Sequence, residues 1–183
     1  MGKQFDALSD VLARFIDDQH IFFCATAGPE GRVNVSPKGM DSLRVLGPNR
    51  IIWRNLTGSG NETAGHLAQI NRMTLMWCGF QSKPMILRVF GTARTLHPRD
   101  ADFAPLNEKF PASPGARQIY DLTIDLVQTS CGFAIPFMDY KGERDVLAHW
   151  ADDKGPDGIA DYWRDRNQKT IDGAPTYILP GGD

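Results

Sequence analysis

Apolar side chains recur along this chain with two different periods, one typical of helices and one typical of strands. Between residues 5 and 16 they return every three or four positions, which predicts an amphipathic helix. Alternating or short continuous apolar runs dominate the next hundred residues and predict β-strands. The predicted strands cover residues 21–27, 32–36, 42–46, 50–56, 73–80, 85–96 and 119–129.

Turn residues and a change of period complete this outline. Gly28-Pro29-Glu30-Gly31 and Gly47-Pro48-Asn49 supply turn chemistry between neighbouring strands, which predicts antiparallel pairs. A short helix is predicted to begin near Asn61, a helical excursion to span residues 99–117, and helical pieces broken at Gly155-Pro156 to follow residue 140. We therefore expect a mainly β protein with peripheral helices, in which residues 1–183 form a single small barrel domain.

Composition narrows the classes of ligand and compartment. The chain has 183 residues, of which 42% are apolar, and a net charge of -2, which does not favour nucleic-acid binding. Cys24, Cys78 and Cys131 are widely separated and lack metal-binding spacing, as expected in a reducing compartment. The N-terminus has no long apolar core. These features predict a cytoplasmic protein with no metal and no membrane partner, acting on a small molecule.

The segment Gly58-Ser59-Gly60-Asn61-Glu62-Thr63, called here the 58–63 turn, has the chemistry of an anion site. Its glycines permit a tight turn, and Ser59, Asn61 and Thr63 place short polar side chains beside the free amides of a helix N-terminus. A simple helix cap is the alternative interpretation. The chain contains no strict P-loop and no dinucleotide fingerprint after a parallel strand.

The residues flanking this turn carry a resemblance to a known family. Strand 52–56, the turn, the segment 63–77, and the segments 32–39 and 87–93 together resemble the pyridoxamine 5′-phosphate oxidase-like, FMN-binding split-barrel family. The resemblance implies a six-stranded antiparallel split β-barrel. It also implies a homodimer with one FMN in each of two clefts between the subunits.

The resemblance assigns roles by position. Ser59, Asn61 and Thr63 are expected to bind the FMN phosphate. The strand around Trp53, Arg54 and Asn55 is expected to lie beside the isoalloxazine ring, and Ser36, Pro37 and Lys38 to approach from a neighbouring strand. Lys38 is either a positive charge at the N1–C2 edge of the flavin or a solvated lysine at a strand end.

Two departures from the family pattern limit the expected activity. Glu62-Thr63 stands where many members have an Arg-Lys pair, so Arg54, Lys38 or Arg72 must supply the positive charge. The ending 178–183 lacks the arginine-rich substrate segment of the vitamin-processing oxidases. We expect an FMN-dependent oxidoreductase that does not act on pyridoxamine phosphate. The alternatives are a non-catalytic flavin-binding or storage protein, and a split barrel that uses deazaflavin or haem.

Overall fold

The computed structural model describes residues 2–81 and 83–181, and these form eight strands and four helices. The strands are β1 (Lys3–Phe5), β2 (Phe22–Thr26), β3 (Asn34–Lys38), β4 (Leu43–Gly47), β5 (Arg50–Leu56), β6 (Arg72–Cys78), β7 (Met85–Leu96) and β8 (Ala116–Cys131). The helices are α1 (Asp10–Asp17), α2 (Glu62–Gln69), α3 (Phe103–Asn107) and α4 (Val146–Arg166).

All eight strands belong to one antiparallel sheet. Its order is β3-β2-β6-β7-β8-β5-β4, and β1 pairs with β8. The mainly β class and the seven strands predicted from the apolar pattern are confirmed, with ends shifted by up to three residues. The expected count of six strands is wrong, because β4 and β1 extend the sheet beyond that number.

The sheet surrounds one main core. Side chains from β2, β5, β6, β7 and β8 meet in a single apolar cluster, which α1 covers with Leu12, Phe15 and Ile16. A smaller cluster on the other face of β5 and β8 contains Ile52 and Ile119 with α3 residues. The first part of β8, residues 117–122, is buried on both faces, and it includes the polar residues Arg117, Gln118 and Asp121.

Two helical predictions are corrected by the structure. Helix α1 begins at Asp10 rather than at residue 5, because the Ser9 side chain accepts the Leu12 N–H and the preceding residues pair as β1. In the segment 99–117 only Phe103–Asn107 forms a named α-helix, and residues 116 and 117 already belong to β8. Two prolines, at 111 and 114, disfavour a longer helix there.

The predicted C-terminal helical extension is present as α4. Its expected break is a kink at Gly155, whose φ of 62° and ψ of 177° are not helical. Residues 167–176 then fold back, with a bridge between Lys169 and Pro175. Of the segment 178–183, the last two residues lie outside the described residues. Among the described helices, none combines the length and apolar character needed to cross a membrane.

Candidate functional site

The 58–63 turn connects β5 to α2, as the change of period predicted. Asn61 is the residue that precedes α2, but its side chain makes no capping hydrogen bond to the helix. Its amide Nδ2 instead donates to the carbonyl oxygen of Lys169 at 2.8 Å. The backbone N–H of Asn61 donates to the carboxylate Oε2 of Glu62 at 3.1 Å. Asn61 therefore does not cap α2 with its side chain.

A small polar recess of about 10 Å³, room for no more than one water molecule, lies beside the turn. Five of the nine predicted site residues line it, together with Asn34, Gly60 and Glu62; the five are Ser36, Lys38, Asn55, Asn61 and Thr63. Asn34 Nδ2 donates to Thr63 Oγ1 at 3.4 Å, and Ser36 Oγ donates to Asn34 Oδ1 at 3.0 Å. The structure therefore brings residues from β3, β5 and α2 to one polar site.

Strand alternation explains which predicted residues meet. On β3, Asn34, Ser36 and Lys38 share one face. On β5, Trp53 and Asn55 share a face and Arg54 points to the other. Asn55 Nδ2 donates to Gln118 Oε1 at 3.2 Å, which fixes its amide beside the recess.

Four predicted residues lie outside the recess. Ser59 lines an adjoining cavity of about 570 Å³, and Pro37 lines a separate, larger cavity of about 970 Å³. Trp53 is fully buried in the main core, where its ring centroid lies 4.5 Å from that of Tyr120. Arg54 donates to the carbonyl oxygen of Pro111 at 2.6 Å on the opposite face of β5. The structure does not bring Arg54 together with the recess residues.

Lys38 places a positive charge beside Trp53, one of the predicted cofactor residues of β5. Its Nζ is 5.3 Å from the centroid of the Trp53 ring, a cation–π arrangement. Burial lowers the pKa of Lys38 below its usual value of 10.5, and nearby Arg117 acts in the same direction. A negative charge on Cys24 would raise the pKa of Lys38, but burial raises the pKa of the Cys24 thiol to about 12 and so keeps it neutral near pH 7. Lys38 is therefore a partly desolvated cation rather than a solvated strand-end lysine.

Sequence reasoning missed several residues of this site. Asn34 could have been predicted from the sequence, because this residue stands two positions before Ser36 on the same strand face. Arg117, on β8, donates to the carbonyl oxygens of Gly58, at 2.9 Å, and of Gly60. Asn167 Nδ2 also donates to Gly58, at 3.0 Å. Arg117 and Asn167 reach the turn from more than fifty positions away, so no local pattern marks them.

Two other residues near the site have structural positions. His66 is buried on α2, and its Nδ1 lies 3.1 Å from Thr26 Oγ1. Trp77 is buried in the core. Among the described residues, no group of three or more His, Cys, Asp or Glu side chains is arranged to hold a metal ion.

The antiparallel sheet surrounds one core and carries a glycine-rich turn between a strand and a short helix. This arrangement defines a class of small β-barrel proteins. The family model of pyridoxamine 5′-phosphate oxidase matches residues 8–131, which include every strand but β1. The chain belongs to the pyridoxamine 5′-phosphate oxidase family.

A curated relative agrees with this assignment. The pyridoxamine 5′-phosphate oxidase family protein ustO of Aspergillus flavus is 38% identical to the chain over 140 residues. The match covers 74% of this chain and 56% of that protein. The chain thus spans little more than half the length of this relative.

Solved structures show the same fold at low sequence identity. A Lactobacillus delbrueckii structure described as a candidate pyridoxamine 5′-phosphate oxidase superposes with a TM-score of 0.54 and 22% identity, covering 67% of this chain and 94% of that one. HupZ of Group A Streptococcus gives a TM-score of 0.50 and 15% identity, covering 65% and 91%. At these identities the likeness concerns the fold, and it agrees with the split barrel expected from the sequence.

Proposed function

We propose that this protein is an FMN-dependent oxidoreductase that binds the cofactor phosphate at the 58–63 turn. The observation that carries the proposal is the polar recess, where Ser36, Lys38 and Asn55 meet the predicted phosphate residues Asn61 and Thr63. Membership of the pyridoxamine 5′-phosphate oxidase family supports it independently. When bound, the flavin supplies the electron or hydride chemistry, and the protein binds, orients and shields it.

The side chains of the recess suit a phosphate ester, which must lie at its mouth, in the adjoining cavity of about 570 Å³. The amides of Asn34, Asn55 and Asn61 each keep one N–H beyond the one that they donate to a protein partner. The Ser36 hydroxyl must leave Asn34 Oδ1 to donate to a ligand. Lys38 contributes a desolvated positive charge. Glu62 opposes an anion, so binding requires that its carboxylate turn away from the Asn61 N–H.

We further propose that residues 1–183 act as one domain within a cytoplasmic homodimer, with FMN held between the subunits. Strand β3 lies at one end of the sheet and exposes Val33 and Val35 beside it, at 70% and 60%. Exposed apolar side chains at a sheet edge favour contact with a second protein surface. The same strand carries Ser36 and Lys38 into the recess, so such a contact would adjoin the cofactor site.

Pyridoxamine phosphate is not the substrate we propose. In the turn, Glu62-Thr63 stands where many members of the family have an Arg-Lys pair, so the cofactor site departs from the pattern of the vitamin-processing oxidases.

Spectroscopy of the purified protein tests the cofactor and then the activity. We expect a yellow protein, or one that gains flavin absorbance and quenches flavin fluorescence on addition of FMN. Anaerobic mixing with NADH or NADPH should then bleach the flavin. Bound FMN that no pyridine nucleotide reduces would favour a flavin-binding or storage role. A deazaflavin or haem spectrum would replace FMN as the cofactor, and a protein that binds none of these would refute the proposal.

A further inference from the structure

Arg117 is a buried cation whose hydrogen bonds lead to the 58–63 turn. Only 1% of the residue is exposed. Its Nη1 and Nη2 donate to the carbonyl oxygens of Gly58 and Gly60, the two glycines of the turn. Its Nε is buried and has no hydrogen-bond partner among residues 2–81 and 83–181. One side chain of β8 thus holds two peptide groups of a turn that lies 57 to 59 positions earlier in the chain.

The charge of Arg117 lacks a carboxylate partner within the described part of the chain. The half-buried ion pairs found there involve other arginines, chiefly Arg50 and Arg94 with Asp121. A buried charge is costly unless an opposite charge neutralises it. Burial accordingly lowers the pKa of Arg117, and Tyr120, Tyr162 and Glu62 counteract this only in part. Lys38 adds a second partly desolvated cation beside the same turn.

The orientation of the turn complements this charge. In a trans peptide the N–H points opposite to the C=O of the preceding residue. Because the carbonyls of Gly58 and Gly60 face Arg117, the N–H groups of Ser59 and Asn61 face away from it. The Asn61 N–H already donates to a carboxylate oxygen of Glu62. The Glu62 carboxylate is therefore an anion at the Asn61 N–H, and the hydrogen bonds of Arg117 fix the orientation of this N–H.

We infer that Arg117 is the positioning residue of the phosphate site, and that it replaces the basic pair missing from the turn. It fixes the Gly58 and Gly60 carbonyls so that the following N–H groups face the ligand, whose phosphate replaces the Glu62 carboxylate at the Asn61 N–H. Its buried charge favours a phosphate monoester over a neutral ligand. This inference rests on the proposed binding of FMN at the turn. It assigns the phosphate selectivity to a side chain on β8 rather than to the turn itself.

A comparison of FMN with riboflavin tests this role, because the two ligands share the ring and the ribityl chain but only FMN has a phosphate. Affinities of the purified wild-type protein and of Arg117→Gln and Arg117→Lys are measured by quenching of flavin fluorescence. We expect Arg117→Gln to weaken FMN at least tenfold and riboflavin less than twofold. Arg117→Lys, which keeps the charge but loses the paired donors, should weaken FMN by about threefold.

Asn167→Ala is the matched control. It removes a neutral donor to the same Gly58 carbonyl and leaves the charge of Arg117 in place. We expect it to change FMN and riboflavin affinity by the same factor, so that their ratio stays at the wild-type value. Circular dichroism establishes that each variant is folded. If Arg117→Gln does not fold, the ratio of FMN affinity to riboflavin affinity in Arg117→Lys tests the inference in its place.

Three results would overturn the inference. In the first, Arg117→Gln leaves the FMN-to-riboflavin ratio unchanged, which would reduce Arg117 to a structural contact. In the second, Asn167→Ala lowers the ratio as much as the arginine variants do. In the third, wild-type protein binds neither ligand, which refutes the proposed function itself and is thereby distinguishable from the first two.

Discussion

Single side chains around the 58–63 turn divide according to the strand face that carries them. Trp53 and Asn55 point into the barrel, whereas Arg54 points out and anchors the segment near Pro111. The resemblance grouped the three because they are consecutive. Applying the two-residue period of a strand to the assigned positions would have separated Arg54 and Pro37 from the others, and it would have added Asn34.

His97 is a buried titratable group outside the recess, and it predicts a loss of stability in acid. Burial, with Arg99 as a further cause, lowers the pKa of His97 from 6.5 to about 4. Between pH 6.5 and pH 4, His97 is protonated in the unfolded chain but stays neutral in the folded chain. The free energy of unfolding therefore falls as the pH drops from 6.5 towards 4. The full shift corresponds to about 3 kcal/mol, and we expect about 2 kcal/mol after solvent screening.

Urea denaturation between pH 7 and pH 4 measures this effect. His97→Gln should remove this part of the acid-induced loss, so that the free energy of unfolding falls less between pH 7 and pH 4 in the variant than in the wild type. His149→Gln is the matched control, since the side chain of His149 is 69% exposed. Equal acid slopes in the wild type and His97→Gln would contradict the prediction.

Among the elements, α2 and the C-terminal segment 167–176 depend on each other. A Cβ atom added at Gly65 of α2 would lie 2.3 Å from Cγ2 of Thr170. Thr170 is buried, and its Oγ1 accepts the N–H of Ala174 at 3.0 Å, so the side chain is not free to rotate away. The C-terminal segment therefore lies against the helix at a distance that only glycine permits.

We predict that Gly65→Ala destabilises the protein by about 2 kcal/mol despite the better helix propensity of alanine. The measurement is the midpoint and slope of urea unfolding, together with the rate of proteolysis in residues 167–176, which should rise. Gly158→Ala in α4 is the control. Its Cβ would meet only the flexible side chain of Lys154, so it should be neutral or stabilising by about 0.5 kcal/mol. A neutral Gly65→Ala would show that the segment moves away without cost.

The elements also show how far the sequence alone reaches. Every strand from β2 to β8 was predictable, because apolar alternation and turn residues are local signals. The first strand was not, since Lys3–Phe5 is exposed and owes its conformation to pairing with β8. The contacts of Arg117 and Asn167 with the turn could not be predicted either, because they depend on where distant segments meet after folding.

For the molecule as a whole, the proposed homodimer makes the exposed edge of the sheet part of the cofactor site. We predict that Val35→Lys, which places a charge on the exposed face of β3, converts the dimer into a monomer. If the flavin is held between two subunits, this variant should also lose FMN affinity by tenfold or more, although Val35 faces away from the recess. Light scattering coupled to size exclusion gives the mass, and fluorescence titration gives the affinity.

Val11→Lys on α1 is the matched control, since Val11 is 53% exposed on a different surface. It should leave both the mass and the affinity at wild-type values. A wild-type protein that binds FMN as a monomer would place the whole cofactor site within one chain. In that case the recess and the cavity of about 970 Å³ beside Pro37 and Lys38 would have to hold the ligand without a partner. Loss of the dimer without loss of FMN in Val35→Lys would separate assembly from cofactor binding in the same way.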